Sequence, residues 1–344
     1  MLRAFSIQQV ISFLLLVSLL VLSTLFVLMT PRNSTEVIEF FLLGFGVQHE
    51  FQYFLFTVFL VIYGTSMVGN IGMSLLIKTD SRLQTPMYIF LQHLAFVDIC
   101  FTSDVTPKMM KNFIIENKSI SFEGCVVQLL VYTTFVTGDC YLLAAIAVDR
   151  YVAIYNPLHY PTVMSQRLCI QLVAGSYIMG SINASVHTGF TFSLSSARAI
   201  PSITFSVTFL QFLPSPAPTL TSTSCYFLSL WDLIWHALCW PSSFPTCLSW
   251  LPSWRSLPMQ ERKKAFSTCA SHLTAVTIFY GTLSYMYLQS YLHNSHENRN
   301  VASVFYGIVI PILNPLIYSL RNKEVKEALK IIWKKFFFRL DPKC

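Results

Sequence analysis

Long apolar runs separated by short polar stretches set the pattern of the chain. They cover roughly 10–29, 53–77, 86–105, 126–148, 168–192, 268–290 and 302–320, and an eighth, poorly defined, lies within 199–251. Each is close to the ~20 residues a helix needs to cross a bilayer. A helix satisfies its own backbone polar groups in lipid, so the runs predict an all-α membrane protein. After Leu320 the period changes. Val325, Ala328, Leu329 and Ile332 recur at helical spacing against a basic face, which predicts an amphipathic helix lying along the membrane surface.

Composition agrees: 54% hydrophobic and 11% charged residues over 344 positions are too apolar for a soluble domain of this size. Lys78 and Arg82, Arg150 and Arg167, Arg262 to Lys264, and the cluster from Arg321 to Lys343 flank the runs, and positive flanks mark the cytoplasmic side. The net charge of +7 is therefore mostly a property of that face and gives no reason to expect nucleic-acid binding. The same orientation puts the sequons at Asn33 and Asn117 outside, with Asn33 the expected glycosylation site, and leaves the sequon at Asn183 inside a span and bare.

Residues 1–28 stand apart. Arg3 followed by the apolar run from Val10 to Met29 fits a cleaved signal peptide or a retained anchor helix, and Met29 fits an alternative start. Each reading delivers Asn33 to the outside. The expected layout is then 1–28 as a hydrophobic extension, 29–51 as an extracellular N-terminus, 52–322 as the helix bundle, and 323–344 as the cytoplasmic amphipathic helix and tail.

Ionisable groups in the hydrocarbon region are costly and mark function unless they face a polar interior. Asp98 and Asp139 are such groups. Asp139 and Arg150 are eleven positions apart, about three turns, so they share one helix face. Either acid could instead serve only as an interhelical hydrogen-bonding group. An intramembrane aspartyl protease would need a Gly-x-Gly-Asp context, and Thr137-Gly138-Asp139 is a poor match. Asn314-Pro315 sets an amide beside a helix-interior proline, so the carbonyl that the proline frees can be satisfied while the helix bends. Tyr318 follows one turn later. No nucleotide loop, metal cluster or catalytic triad occurs, so the chain is not expected to be an enzyme and needs no bound cofactor.

Several segments together resemble the olfactory receptors, a branch of the rhodopsin-like G-protein-coupled receptors. They are Asn33 to Phe45, Gly69-Asn70, Pro86-Met87-Tyr88-Ile89-Phe90-Leu91, Asp149-Arg150-Tyr151 through His159-Tyr160, Lys264 to Leu273, and Pro311 to Tyr318. The resemblance covers roughly 30–195 and 263–335. It implies a bundle of seven transmembrane helices at the plasma membrane, a small-molecule odorant as ligand and a heterotrimeric stimulatory G protein as partner. It implies that Arg150 pairs with Asp149 at rest, with Tyr151 beside them, and meets the G protein when active. Asn314, Pro315 and Tyr318 would form the second switch. Asp98 would sit where such receptors bind a sodium ion, with Asn70 and Asn314 as polar neighbours. Asp139 stands where olfactory receptors usually carry Glu.

The resemblance places the odorant pocket between the outer halves of the helices. Tyr132, Thr133, Val136 and Thr137 are expected to line it from one helix, and Tyr280, Leu283, Ser284 and Tyr287 from another. Apolar walls with a few polar tips suit a small volatile ligand.

Between about 195 and 258 the resemblance stops. This interval holds eight of the sixteen prolines and five of the six tryptophans, and only Arg198, Asp232 and Arg255 are charged. No cysteine lies between Cys169 and Cys225, although the family places several in this outer loop, one bonded to the position of Cys125. Cys125 is therefore expected to be unpaired or paired irregularly with Cys225. Tyr226 to Trp240 is the best remaining candidate for the fifth helix, and it stops at Pro241. Compensating reading-frame shifts would explain these edges. The alternative outcome is a non-signalling, pseudogene-like membrane protein held in the endoplasmic reticulum. A transporter would predict duplicated halves with broken helices, which the chain lacks.

Overall fold

The computed structural model describes residues 39–41, 49–114, 119–155, 157–196, 272–282, 310–321, 325–328 and 330. The expected extension at 1–28, Asn33, most of 195–258, and Leu283, Ser284 and Tyr287 lie outside them. Four long helices carry the described bundle: α1 (His49–Thr79), α2 (Pro86–Ile114), α3 (Phe122–Tyr155) and α5 (Gln166–Ser196), with the short loop helix α4 (Tyr160–Val163) between the last two. Helix α6 spans 272–282 and α7 spans Ile310–Arg321. Gln52–Thr79, Pro86–Lys111, Glu123–Ala153 and Gln166–Gly189 are each long and apolar enough to cross a membrane.

Helix α1 shows how the sequence sorts its faces. Phe54, Val61, Val68 and Leu75 recur every seven residues and are all exposed, forming a lipid-facing stripe. Ser66, Asn70, Met73 and Ile77 lie on the other side and are buried. Polar Ser66 and Asn70 thus face protein while large apolar residues face outward, the reverse of a soluble helix.

Helix α3 sits at the centre, packed against both α2 and α5. Its inward residues Leu129, Leu130, Leu142, Leu143 and Ile146 are almost fully buried. Lipid gives no hydrophobic drive to such packing, so close approach at small residues carries it. Gly180 of α5 is the tightest point: a Cβ there would meet the Thr134 carbonyl oxygen at 2.6 Å. Asn183, one turn outward, donates from Nδ2 to Thr137 Oγ1 at 3.0 Å.

Helix α2 runs nine residues past the predicted end at 105 and continues through Pro107. On the outer side, β1 (Glu39–Phe41) pairs antiparallel with β2 (Ser119–Ser121), with Phe40 opposite Ile120. These short strands were not expected from the hydrophobic pattern.

On the inner side, Asp80 caps the 3-10 turn Ser81–Leu83 by accepting from the Arg82 backbone N–H at 3.0 Å, and Arg82 also pairs with its carboxylate at 2.7 Å. Arg82 comes within 3.9 Å of Glu327, while Val325 and Ala328 are buried. Two apolar positions of the amphipathic segment, Val325 and Ala328, therefore meet protein.

Candidate functional site

Two polar clusters run along the bundle axis, and a candidate ligand region lies outward of them. The inner cluster starts where α3 leaves the membrane. Asp149 is fully buried, and its two carboxylate oxygens have different partners. Arg150 donates through Nε to Oδ2 at 2.9 Å and through Nη2 to the same atom, which closes the expected acid–base latch. Tyr160 donates its hydroxyl to Oδ1 at 2.8 Å. Tyr151 follows the pair on α3 and is half-buried.

The loop sequence accounts for the reach of Tyr160. Pro157-Leu158-His159 forms a turn, and Pro161 sits in the first turn of α4, where its fixed φ suits a helix start. Backbone bonds from Val163 to His159 and from Met164 to Tyr160 close the helix at 3.0 and 2.9 Å. Ser165 Oγ then accepts from the Leu168 N–H at 3.4 Å and opens α5. His272, buried at the start of the described part of α6, lies within electrostatic reach of Arg150. Sequence reasoning assigned no role to Tyr160 or His272. The first sits only eleven positions from Asp149, a signal that was available in the loop sequence.

The middle cluster joins α1, α2, α3 and α7. Asp98 is fully buried and accepts from Asn314 Nδ2 at both oxygens, at 3.2 and 3.0 Å. Thr102 returns its hydroxyl to the Asp98 backbone carbonyl. Asp139 is buried within electrostatic reach of Asp98, and its Oδ1 has no hydrogen-bond partner among the described residues.

One expectation needs correcting in its partner. Pro315 frees the carbonyl of Pro311, four residues earlier, but Asn314 does not satisfy it. Asn70 of α1 does, donating from Nδ2 at 2.9 Å, while Asn314 is committed to Asp98. The Asn70 Oδ1 is left buried and without a partner among the described residues. Gly69, beside Asn70, admits Pro315 closely: a Cβ there would meet its Cγ at 3.3 Å. Helix α1 therefore cups the proline with a glycine and bonds the freed carbonyl with an amide. Tyr318 lies on α7 one turn beyond Asn314, and only its backbone is described.

The candidate ligand residues on α3 are all buried, but they do not form one wall. Tyr132 turns toward α2, with its ring 5.2 Å from that of Phe101, and Thr137 turns toward α5 and Asn183. Thr133 and Val136 lie between these directions. On α6, Tyr280 donates to the Cys140 carbonyl at 3.5 Å and meets Phe279 edge-on at 5.2 Å. Cys125 is fully buried at the outer start of α3 with a free thiol, and Cys225 lies outside the described residues. Among the described residues no three His, Cys, Asp or Glu side chains gather as a metal site.

Comparison with known proteins identifies the lineage of this arrangement. Residues 69–318 match the family described as 7 transmembrane receptor (rhodopsin family). The human protein Olfactory receptor 5AK2 is 59% identical over 314 residues, covering 90% of this chain and all of that receptor. Human Olfactory receptor 5AK3 is 60% identical over 304 residues, covering 86% and 99%, and mouse Olfactory receptor 5AP2 is 46% identical over 312 residues, covering 88% and 95%. In the first of these, the tenth of the chain left uncovered is shorter than 195–258, so the alignment enters that interval. By this match and by its buried polar axis, the chain belongs to the rhodopsin family of seven-transmembrane receptors and, within it, to the olfactory receptors.

Proposed function

We propose that this multi-pass membrane receptor of the cell surface binds a small volatile odorant among the outer halves of its helices and activates a stimulatory heterotrimeric G protein at its inner face. It is a signalling receptor, not an enzyme. The observation that carries the reading is the latch. Arg150 is held on the buried Asp149 at the cytoplasmic end of the central helix, and an electrostatic contact of this kind can switch between a closed and an open arrangement. A ligand that favours the open arrangement shifts the population toward a state in which Arg150 meets the G protein. Similarity to Olfactory receptor 5AK2 and Olfactory receptor 5AK3 supports an odorant as the ligand class.

The middle cluster is suited to a sodium ion. Asp98 and Asp139 would supply negative charge, and Asn70 Oδ1 and Asp139 Oδ1, buried without hydrogen-bond partners among the described residues, are oxygen ligands of the kind a hard cation takes. The ion would offset the cost of two buried acids and favour the resting arrangement. Replacing Asp98 by Asn would then abolish any sodium dependence of basal signalling.

The test of the function is a cAMP assay of the tagged receptor against an odorant panel, normalised to surface staining. An odorant response that disappears in Arg150→Ala at equal surface level is the expected result. A receptor at the surface that stays silent to the panel and has no Arg150-dependent basal signal contradicts it.

A further inference from the structure

We propose that the outer two-stranded ribbon belongs to the ligand-binding unit: β1, hydrogen-bonded to β2, keeps Ile120 seated on Gly124 and so holds the outer end of α3, with the candidate ligand residues it carries, in binding position. The inference rests on the odorant-receptor function proposed above and deepens it, adding Ile120, Gly124 and the N-terminal strand as positioning groups.

Strand β2 runs straight into α3, with no residue between Ser121 and Phe122, so the direction of the strand sets the first turn of the helix. Ser121 Oγ accepts from the Gly124 N–H at 3.2 Å and caps that turn. Ile120 is buried in the core and folds back over the same turn: a Cβ at Gly124 would meet Ile120 Cγ1 at 3.3 Å and Ser121 Oγ at 3.0 Å. The glycine lets strand and helix close on each other. One turn on, Gln128 donates from Nε2 to the Asp104 carbonyl at 3.2 Å and fixes α3 to α2.

A ribbon of two three-residue strands is marginal on its own. Here Ile120 anchors β2, and β1 completes the ribbon in the register Glu39 to Ser121, Phe40 to Ile120 and Phe41 to Ser119. Strand β1 also lies close to α3, and the chain beyond it enters α1 at His49, so the pairing ties the outer end of α3 to the start of α1. Tyr132 and Thr133 sit on α3 about two turns inward of Gly124, and a helix moves as a rod, so a shift at its outer end displaces them. Ordering the ribbon and binding the odorant are then linked, and each favours the other.

Cysteine pairs test the ribbon itself. Opposed residues of an antiparallel pair have Cα atoms about 4.5–5.5 Å apart, within disulfide range, whereas a diagonal pair is about 7–8 Å apart. In full-length receptor in membranes, Glu39→Cys with Ser121→Cys should oxidise to a disulfide, seen as fragments that stay joined after cleavage at a protease site placed within 42–48. Phe41→Cys with Ser121→Cys, offset by two, should not. The functional arm uses the strongest agonist found in a panel of straight-chain aliphatic aldehydes, alcohols and carboxylic acids, read as cAMP at equal surface staining. Replacing Glu39, Phe40 and Phe41 by Gly, or Ile120→Ala, or Gly124→Val, should each raise the half-maximal concentration about tenfold and leave basal signalling unchanged, while Ile120→Val changes it less than about twofold. In the Phe40→Gly, Phe41→Gly receptor, the Glu39→Cys/Ser121→Cys disulfide should bring the response back to within about threefold, and reduction should abolish the rescue. Without any agonist, the triple-glycine receptor should exchange its amide hydrogens faster at 122–126 and not at 142–146. Equal linking of the opposed and offset pairs, an unchanged half-maximal concentration in the triple-glycine receptor, or unchanged exchange at 122–126 would overturn the proposal. If no panel member activates the unaltered receptor, the odorant reading fails, and linking and exchange alone decide whether the ribbon holds α3.

Discussion

The side-chain amide of Asn70 donates to the carbonyl of Pro311 across 2.9 Å, so α1 supplies the hydrogen bond that Pro315 removes from α7. Replacing Asn70 by Leu leaves that carbonyl buried in a bend. Orphaned buried acceptors cost about 1–3 kcal/mol, whereas interhelical hydrogen bonds in a membrane average about 0.6 kcal/mol. Because the bonded group is a backbone carbonyl that the helix proline has freed, a loss of about 1 kcal/mol is expected. Thermal inactivation of purified receptor should show it, and an unchanged midpoint would show that α7 finds another donor.

Gly180 and Gly175 lie on the same helix and should respond with opposite signs. A Cβ at Gly180 meets the Thr134 carbonyl oxygen at 2.6 Å, and backbone cannot swing aside, so Gly180→Ala should cost about 1–3 kcal/mol and reduce surface display. A Cβ at Gly175 meets nothing within 4 Å, so Gly175→Ala should stabilise α5 by about 0.5–1 kcal/mol through helix propensity alone. Comparable effects from the two substitutions would contradict the packing described for α3 and α5.

Alkali should weaken the inner end of the bundle through Tyr160. Its hydroxyl is raised in the folded state, by burial first and by Asp149 second, so the folded protein holds that proton more tightly than the unfolded chain. The contribution is fully present below the ordinary phenol value of about 10 and is lost as pH rises from there. A thermal midpoint that falls less steeply above that pH in Tyr160→Phe than in the unaltered receptor is the expected outcome. Parallel curves for the two would show that Tyr160 gains nothing from its site.

Much of this fold was legible in the pattern of apolar runs because lipid demands uninterrupted helices. Runs at 53–77, 126–148 and 168–192 became helices at His49–Thr79, Phe122–Tyr155 and Gln166–Ser196. The ends differ because helices extend into the polar boundary, where hydropathy no longer reports them. The run at 86–105 was cut short for a related reason: Asp104, Pro107 and Lys108 end the apolar pattern, yet the helix passes through Pro107. In the site, Asp149-Arg150 was legible as neighbours in sequence. Asn314 beside Asp98 came through the resemblance, not from spacing; the partners of Pro311 and Thr137 were not legible, since Asn70 and Asn183 reach them from other helices, and the choice between Asn70 and Asn314 for the freed carbonyl is set by packing alone.

The interval at 195–258 carries its own prediction. If compensating frame shifts produced it, one alternative frame of the coding DNA over those positions should encode a cysteine-bearing outer loop and a continuous apolar fifth helix. Three frames that all lack both features would rule the shift out.

Labelling with a membrane-impermeant thiol reagent tests the central claim, that the chain crosses the membrane so as to bring the latch loop and the tail together inside the cell. Single cysteines replace His159 in the loop, Lys323 after α7 and Ser34 in the N-terminal sequon, each in a background otherwise free of accessible thiols. The account predicts labelling in intact cells at position 34 alone, with 159 and 323 reacting only after permeabilisation. Labelling of 159 and 323 from opposite sides of the membrane would contradict it.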